Sequence, residues 1–584
     1  MLVVTGTALV LGTWIACILG FVLLGLPLSI LSHDRPASWG DVRRGLWWGL
    51  TILAITVMLL ANVVPLRSPT ALVAMAGLVI AGGTASVLLI RHRGWVSGWC
   101  WSSSLAWVLV LAVVPTVYLA VAVLGPVTNF DSGLYHLNAI AHAAEFPAIP
   151  GLASLYAPLG YANAGFPLSA ALESSPWAAE GYRLLNGLVI VMVLVDLVIR
   201  WAQPRRDAGA YGLLVGAVVL LVPMVALSDY WVTSPSQDSA VFAATVAVSA
   251  MLMTGVTRRR IWLPELAGAA AAGVLLVLLR PTMGAFLLGI LIVTAIVGWR
   301  RRQSKAPWGR YILLASVTGV SAAVAQTSRD YVLSGWLLYP LSIGHFDVPW
   351  LASDPVDLRT ATLGYHRDPT RLWEAAEGYG WVGAWMARLP GQWEFWLVLL
   401  LAVTTLAAVL VVRRSPATMR ARGLMLAMAP SLFMTIVWWL ATPPSFRFAW
   451  GPVFTLFTIP LGWLLWRALG ERRGKGRSIW VNRVLVAAAV PVVAVTVYSA
   501  VARLDAAGIT SPRSWNAGVS LSYAVAPVPE PETDAVELAR GLTVQVPRNG
   551  GLCWGTFPLC TPEPNGRVGY LVPNEGVVGG LAVR

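Results

Sequence analysis

The sequence has few charged residues, and lysine is nearly missing. Only 12% of its 584 residues are charged, and the lysines are Lys305 and Lys475. Hydrophobic residues make up 57% and the mean hydropathy is +0.71, so a soluble protein of this size could not bury so much apolar surface. Apolar segments of roughly 17–25 residues recur along the chain, as is typical of membrane-spanning helices. We therefore predict an all-α polytopic membrane protein.

Cysteine is also scarce. The chain has four cysteines, too few for a fold held together by disulfides. Two of them, Cys553 and Cys560, flank a short segment near the end of the chain, where a small disulfide loop is plausible if that segment lies outside the cell. The first 31 residues have no Lys or Arg before a long apolar run, so we expect a membrane span there rather than a cleavable signal.

The net charge of +14 does not indicate a nucleic-acid-binding protein. The basic residues recur in short clusters between apolar segments instead of forming one stripe. This pattern is typical of cytoplasmic loops at a membrane. We therefore expect membrane lipids, and no nucleic acid, as partners.

Fourteen spans account for the apolar segments and for the clusters. We predict them at residues 3–31, 46–66, 70–90, 105–125, 184–200, 210–228, 239–255, 266–279, 282–299, 311–326, 394–412, 424–441, 453–466 and 480–500. The clusters then fall on one side, and they are Arg35/Arg43/Arg44, Arg91/Arg93, Arg200/Arg205/Arg206, Arg258/Arg259/Arg260, Arg300/Arg301/Arg302/Lys305, Arg413/Arg414/Arg420/Arg422 and Arg467/Arg472/Arg473/Lys475/Arg477. That side is predicted to be the cytoplasm of a cell with an inner (plasma) membrane, with both termini outside. The two short spans 266–279 and 282–299 are also compatible with a re-entrant hairpin.

Three long segments are therefore predicted on the extracytoplasmic side. They are residues 126–183, 327–393 and the tail 501–584. The tail 501–584 follows the last predicted span, and the family resemblance described below implies a transmembrane core (105–500) preceded by additional N-terminal spans (1–104). The predicted inner loops are short and basic, so we expect any chemistry outside.

The first long segment opens with an acid. Asp131 follows an apolar run, and a carboxylate at the edge of a span marks a functional-site hypothesis. Read as a surface helix at 100° per residue, residues 131–145 place their polar side chains in one narrow sector. These side chains are Asp131, Tyr135, Asn138, His142 and Glu145, with His136 off that sector. The alternatives are that Asp131 only caps a helix and that His142 and Glu145 are ordinary surface residues.

Arginines at outer span ends form a second feature. Arg280 and Arg447 oppose the positive-inside trend, and guanidinium groups suit phosphate through paired hydrogen bonds. The alternative is contact with lipid headgroups or a structural ion pair. Arg329 and Arg388 are weaker candidates. Asp238 precedes a span, where it either caps the helix or belongs to the site.

The segment 327–393 is rich in aromatic residues. They include Trp336, Tyr339, Trp350, Trp373, Trp381 and Trp385, with His345 among them. Aromatic side chains in a wet cleft suit stacking against sugars, and those at a membrane surface form an interface belt. Both interpretations fit the pattern.

Taken together, these features resemble the GT-C superfamily of membrane glycosyltransferases that use polyprenyl-phosphate sugars. More closely, the chain resembles a bacterial membrane-protein family of that type, through Phe130-Asp131-Ser132-Gly133-Leu134-Tyr135-His136, Ser234-Pro235-Ser236, Tyr339-Pro340, Phe446-Arg447-Phe448 and Cys553-Trp554 with Pro558-Leu559-Cys560. The resemblance implies a GT-C-like fold, a polyprenyl-phosphate sugar donor and an extracytoplasmic glycan, lipid or protein as acceptor.

The resemblance also implies roles for residues. Asp131 takes the position of the general base, and Arg280 and Arg447 are candidates for phosphate contact. The predicted substrate-binding residues are Tyr135, His136, Asn138, His142, Glu145, Asp238, Arg280 and Arg447. Many GT-C enzymes have two adjacent acids where this chain has Asp131 and Ser132, so a divalent metal held by an acid pair is not expected unless Glu145 or Asp238 supplies the second acid.

Two other functions are compatible with the sequence. A lipid-linked glycan polymerase or ligase would share the outer segments and arginines. A flippase or transporter of polyprenyl-linked lipids would need ionisable residues at mid-membrane if it were ion-coupled. Within the predicted spans we find mainly Asp196, which is placed to pair with Arg200 four residues later.

Overall fold

The computed structural model describes residues 2–174, 176–258, 262–301, 307–412, 418–470, 475–506, 511–514 and 522–583. Eight basic residues of the predicted clusters lie outside these ranges, and they are Arg259, Arg260, Arg302, Lys305, Arg413, Arg414, Arg472 and Arg473.

The described residues form twenty α-helices. They are α1 (Leu2–Leu31), α2 (Trp39–Leu60), α3 (Pro69–Arg93), α4 (Ser103–Ala122), α5 (Leu137–Glu145), α6 (Gly165–Ala171), α7 (Leu184–Trp201), α8 (Ala208–Ala226), α9 (Ser228–Trp231), α10 (Asp238–Thr257), α11 (Trp262–Leu279), α12 (Gly284–Arg300), α13 (Trp308–Ser334), α14 (Val356–Arg367), α15 (Leu372–Ala375), α16 (Val382–Arg388), α17 (Trp393–Val412), α18 (Thr418–Ala441), α19 (Trp450–Gly470) and α20 (Lys475–Ala506). Fourteen helices in these ranges are long and apolar enough to cross a membrane, and each coincides with one predicted span. The chain is an all-α multi-pass membrane protein.

The bounds of three helices, α2, α11 and α12, bear on the predicted spans. Helix α2 begins at Trp39 instead of residue 46, so Arg43 and Arg44 lie inside a helix and not in a loop. Helices α11 and α12 have 18 and 17 residues, and a single 3-10 turn separates them. At 1.5 Å per residue each is about 26 Å long, which is close to the thickness of a bilayer core. Two spans, rather than a re-entrant hairpin, therefore fit this segment.

Helices α7, α10 and α11 form the centre of the bundle. In each of them 89% of the apolar window is buried, against 6% for α3 and 11% for α17 at the rim. The sequence of α11 explains its place, because residues 267–273 are all Ala or Gly and small side chains let neighbouring helices approach closely. A Cβ atom at Gly273 would lie 2.8 Å from Ile290 of α12.

The loops sort to the two ends of the bundle. At one end the Thr128 amide donates to Asp229 O, the Gly151 amide to Val332 O and the Ala164 amide to Leu278 O, so the long segments lie together. We call this the Asp131 end. At the opposite end the Cys100 amide donates to Ala202 O, which joins the loop between α3 and α4 to that between α7 and α8. The predicted gathering of the long segments on one side is confirmed.

Strands are short and occur in four two-stranded pairs within the described ranges. They are β1 (Ala37–Ser38) parallel to β2 (Trp95–Val96), and antiparallel β3 (Ser511–Ser514) with β4 (Ser522–Val525), β5 (Thr533–Glu537) with β6 (Thr543–Pro547), and β7 (Val568–Tyr570) with β8 (Leu581–Val583). The last three pairs belong to the tail. A disulfide joins Cys553 and Cys560, the pair expected from the sequence.

The tail packs on the long loops of the Asp131 end. The Ala526 amide donates to Leu124 O and the Leu581 amide to Pro150 O, both at 2.8 Å. Arg183 reinforces this contact, because its buried guanidinium donates to Gly125 O and Ala526 O. The tail therefore forms part of the surface around the candidate site.

Candidate functional site

Asp131 pairs with an arginine from a distant part of the chain. Arg447 Nη1 donates to Asp131 Oδ2 at 2.9 Å, although 316 residues separate the two in sequence. Asp131 directly precedes a π-helical turn, Ser132–His136, and its side chain makes no capping hydrogen bond. The interpretation of Asp131 as a helix cap is therefore wrong, and its carboxylate is held by Arg447 instead.

A second acid–arginine pair lies beside the first. Arg280 Nη2 donates to Asp238 Oδ1, and Arg280 Nη1 donates to the carbonyl oxygen of Arg447 at 3.1 Å. Ser236 Oγ donates to the other oxygen of Asp238 at 2.7 Å. Asp238 is the first residue of α10 and its carboxylate does not cap that helix. The two pairs thus form one four-residue cluster, which we call the paired-charge site.

An aromatic ring lies under both guanidinium groups. The Cζ atoms of Arg280 and Arg447 are 5.2 and 4.9 Å from the ring centroid of Phe448. Cations are attracted to the face of such a ring. Because Phe448 follows Arg447 directly, the segment Phe446-Arg447-Phe448 both supplies one cation and supports the other.

Exposure within the paired-charge site is graded. The side chains of Asp131 and Arg447 are 26% and 22% exposed, that of Arg280 is 15% exposed and that of Asp238 is 3% exposed. Burial disfavours the Arg447 cation, but the charges of Asp238 and Asp131 outweigh it and hold the pKa of Arg447 above its ordinary value. A ligand can therefore reach Asp131 and Arg447, whereas Asp238 is buried and pairs with Arg280.

Asn186 fixes the loop that carries Asp238. Its side-chain amide donates to three backbone oxygens, those of Trp231, Ser234 and Ser236. The hydroxyl of Ser234 lies 2.7 Å from that of Ser132, which follows Asp131. These contacts lock the loop between α9 and α10 against the start of the first long segment. No sequence pattern marked Asn186, because an Asn near the start of a span has many structural roles.

His136 and Tyr135 lie beside Asp131. His136 is 3% exposed, and its Nδ1 has no hydrogen-bond partner among the described residues. Burial lowers the pKa of His136 to about 4, although the charges of Asp131 and Asp238 oppose that shift. The ring of Tyr135 is 4.4 Å from that of His136, and burial raises the pKa of its hydroxyl. Both side chains are therefore neutral near pH 7.

The predicted single polar face over residues 131–145 is wrong. The π-turn places the Leu137 amide on Ser132 O, five residues back, so the 100° spacing does not hold across it. Asn138 is buried, and the buried His142 donates from Nε2 to Pro558 O in the tail. Glu145 is half-exposed and pairs with Arg67.

A cavity of about 640 Å³ does lie beside α5, between it and the tail. Leu137, Ala141 and Glu145 line it, together with Glu173 and Phe557. Two of these side chains come from the face that was predicted to be apolar. Neither Asn138 nor His142 lines this cavity.

The second long segment contributes His366. Its ring is 5.1 Å from that of Phe448, and burial lowers its pKa to about 4, with the Arg447 charge acting in the same direction. Arg388, predicted as a weaker phosphate candidate, instead donates to the carbonyl oxygens of His366 and Arg367. Arg329 is buried in α13 and borders a small cavity with His142. No local motif marked His366, which lies in a polar stretch of the loop.

Most of the predicted aromatic residues serve packing. Trp336 and Tyr339 form a small buried cluster with Ala153 and Ala352. Trp381 and Trp385 contact Trp439, at ring-centroid distances of 5.6 and 6.5 Å. Trp373 differs, since it is 58% exposed.

The residues present do not fit a metal site built on several acids. In the described ranges, no group of three or more His, Cys, Asp and Glu side chains is arranged to hold a metal ion. Asp238 was considered as the second acid of such a site, but its carboxylate already pairs with Arg280. We derive no chemical step through a metal.

Comparison with known proteins gives one match. The model of a family described as a domain of unknown function (DUF8201) matches residues 7–454, about three quarters of the chain. The matched region contains all four members of the paired-charge site, whereas the tail with its disulfide lies beyond it. No curated protein and no solved structure matches.

Proposed function

The chain belongs to the DUF8201 family, and from that premise we propose that it is a membrane glycosyltransferase of GT-C type. It would move a sugar from a polyprenyl-phosphate donor to an extracytoplasmic glycan, lipid or protein. The observation that carries the proposal is the paired-charge site, in which a partly exposed carboxylate and two guanidinium groups meet at one end of the spanning helices.

The proposal places the protein in the inner (plasma) membrane, with the Asp131 end and both termini outside the cytoplasm. The basic clusters support this orientation because they lie between spans at the opposite end, and such clusters favour the cytoplasm. A polyprenyl chain would lie among the helices at the rim, and its phosphate would sit at the membrane surface.

Arg447 and Arg280 would bind the donor phosphate. Arginine forks make strong, paired hydrogen bonds with phosphate oxygens. Arg447 pairs with Asp131 in the structure, and both are about a quarter exposed. A phosphate entering the site would take the place of Asp131 as the partner of Arg447. Donor binding would then release the Asp131 carboxylate as the acceptor arrives.

The chemical step is a single displacement. Asp131 accepts the proton of an acceptor hydroxyl while that oxygen forms a bond to the anomeric carbon. The bond from the anomeric carbon to the phosphate oxygen breaks, and the phosphate leaves with the electron pair, stabilised by the arginines. The anomeric configuration inverts. Phosphate is a good leaving group, so no separate acid is required, in keeping with the neutral histidines His136 and His366.

The first test is Asp131→Asn, assayed in membranes with a labelled polyprenyl-phosphate sugar. Loss of a positioned base should lower transfer by roughly 10²–10⁴-fold, with the apparent melting temperature nearly unchanged. The matched control is Asp534→Asn, because Asp534 is an exposed acid of the tail that pairs with Arg548. Full turnover in Asp131→Asn would contradict the role of base.

The same assay separates the proposal from its rival. Movement of unmodified donor across the membrane, without transfer to any acceptor, would identify a carrier instead of an enzyme. Ion coupling through Asp196 or Glu265 is disfavoured, because both acids are buried within spans and are held by arginines near the end opposite to Asp131. An ion-coupled carrier needs such groups free to exchange ions.

A further inference from the structure

A polar cavity of about 150 Å³ lies at the end of the bundle opposite to Asp131. It opens where α1, α2, α7, α8, α10 and α11 end or begin. Six arginines line it, and they are Arg35, Arg43, Arg44, Arg200, Arg205 and Arg258. Three carboxylates share the lining, so its formal charge is about +3 with His33 neutral.

Behind the cavity, acids and arginines balance one another. Glu265 accepts from both Arg43 and Arg44. Asp41 pairs with Arg44 at 2.7 Å. Asp196 pairs with Arg200 at 2.6 Å, and Asp207 pairs with Arg258 at 3.0 Å. Four carboxylates thus match four guanidinium groups. We call this set the buried ion network, and only Arg258, at its edge, is as much as 31% exposed.

Two arginines at the mouth remain unmatched. Arg35 and Arg205 are exposed, and their side chains form no ion pair with any described residue. The cavity therefore carries two positive charges beyond those that the buried ion network neutralises.

Buried donors inside the cavity also lack acceptors. Arg43 and Arg200 are 3% and 4% exposed, yet Arg43 Nη1 and Arg200 Nη2 have no hydrogen-bond partner among the described residues. Asp196 lies 4.0 Å from Arg43 Nη1, which is too far for a hydrogen bond. Buried polar groups in folded proteins nearly always have a partner. Both arginines line the cavity, so a small rotation of either side chain would bring its free donor to an anion there.

One buried acceptor beside these donors, Glu265 Oε2, also has no hydrogen-bond partner among the described residues. A phosphate group that carries a hydroxyl offers acceptors to the two arginines and a donor to Glu265. Its anionic oxygens accept from the guanidinium groups, and its hydroxyl donates to Glu265. The cavity has room for it, since a single water needs only about 10–15 Å³ of such space.

We propose that this cavity binds a phosphate group. The site lies at the far end of the spanning helices from Asp131 and does not rest on the proposed glycosyltransferase activity. The same chemistry is offered by free phosphate and by the headgroup of an anionic phospholipid, and both can reach the membrane surface.

The test uses the full chain in nanodiscs of phosphatidylcholine. Inorganic phosphate is titrated in, with chloride at matched ionic strength as the reference, and the apparent melting temperature and bound phosphate are measured. The variant is Arg35→Gln with Arg205→Gln, because these exposed side chains form no ion pair with the residues that the structure describes. Because charge-assisted hydrogen bonds are lost, the double variant should bind phosphate at least about tenfold more weakly than the wild type. The control is Arg91→Gln, an exposed arginine at the same end that does not line the cavity.

A second arm replaces part of the phosphatidylcholine with phosphatidylglycerol and omits phosphate. Stabilisation by phosphate that the double variant weakens and Arg91→Gln leaves intact identifies a free phosphate as the ligand. The same pattern with phosphatidylglycerol alone identifies a lipid headgroup. If neither stabilises the protein, or if the double variant and Arg91→Gln respond alike, the cavity holds only water and the proposal is wrong.

Discussion

Both ends of the helix bundle hold carboxylate–arginine pairs, but the two sets differ in where their residues come from. The paired-charge site joins Asp131 and Arg447 from loops to Asp238 and Arg280 at helix ends, and its outermost pair is about a quarter exposed. In the buried ion network, Arg43, Arg44, Asp196 and Glu265 are at most 5% exposed and all lie within spanning helices.

The difference separates two uses of the same chemistry. An exposed ion pair contributes only about 0–1 kcal/mol, so exchanging one partner for a ligand costs little. Removing one member of a buried pair costs about 3–5 kcal/mol, because the other charge is left without compensation. The paired-charge site is therefore suited to binding and chemistry, and the buried ion network to holding helices together.

The largest expected effect is on activity at the Asp131 end. Arg447→Ala should lower transfer by roughly 10²–10³-fold, because a cation that stabilises the leaving phosphate is lost. The protein should remain folded, since the remaining carboxylate is partly exposed to water. The assay is transfer from labelled donor in membranes, with Arg548→Ala of the tail as the control. Unchanged transfer in Arg447→Ala would show that Arg447 of the paired-charge site is not needed for activity.

The next effect is on stability at the opposite end. Glu265→Gln removes the charge shared by Arg43 and Arg44 and should destabilise the fold by about 3–5 kcal/mol. Unfolding of the purified protein in detergent measures this loss. Glu145→Gln is the matched change at an exposed pair, 42% exposed on both sides, and should cost about 0–1 kcal/mol. If both variants lost the same free energy of unfolding, the buried ion network would stabilise the fold no more than an exposed ion pair does.

A smaller effect tests how far the Asp131 end depends on the tail. The amide of Trp554 donates to Gly133 O, and a Cβ atom at Gly133 would lie 2.7 Å from the ring of Trp554. Gly133→Ala should therefore cost about 1–3 kcal/mol by overpacking and loosen the tail. Limited proteolysis of the tail reports the loosening. Gly555→Ala, whose Cβ meets nothing within 4 Å, should leave the tail protected.

A pH-dependent effect concerns an acid at the Asp131 end that has no arginine partner in the described ranges. Glu173 is 5% exposed and forms no ion pair in the described ranges. Burial, aided by the charges of Glu180 and Glu145, raises its pKa from 4.5 to about 8. The folded state thus binds a proton that the unfolded state releases, and stability falls as pH rises from about 4.5 to about 8.

Glu173→Gln cannot titrate, so it should melt at a higher temperature than the wild type at pH 8.5 and at the same temperature near pH 4.5. Thermal unfolding at the two pH values measures the difference. Glu530→Gln changes an exposed acid that lines the same cavity and should show no such dependence. If the difference in melting temperature between the wild type and Glu173→Gln were the same at both pH values, Glu173 would be ionised in the fold.

The spans were predictable because the signal lies in long local runs of apolar residues. The pairing of Asp131 with Arg447 was not, because 316 residues separate them and no local pattern fixes which loops meet. The sequence indicated both residues as candidates, and only the fold brings them together with Asp238 and Arg280. For the same reason, His366 and Asn186 were not predicted as residues of the site.

Local irregularities explain the remaining differences. The π-turn at 132–136 breaks the helical spacing from which one polar face was predicted, and nothing in those five residues distinguishes it from an α-helical start. Arg43 and Arg44 were assigned to a loop because charged residues usually end a span. Their acid partner, Glu265, lies 221 and more residues away, so the buried ion network was invisible in the sequence.

Helix α11 links the two sets of charges directly. Its first turn carries Glu265, and Arg280 follows its last residue, so one rod of about 27 Å spans the distance between the ends. A shift of that rod along its axis would change the Glu265 contacts and the Arg280–Asp238 contact together. If a ligand at one membrane face moved this helix, thermodynamic reciprocity would require a ligand at the other face to act back with the same coupling free energy.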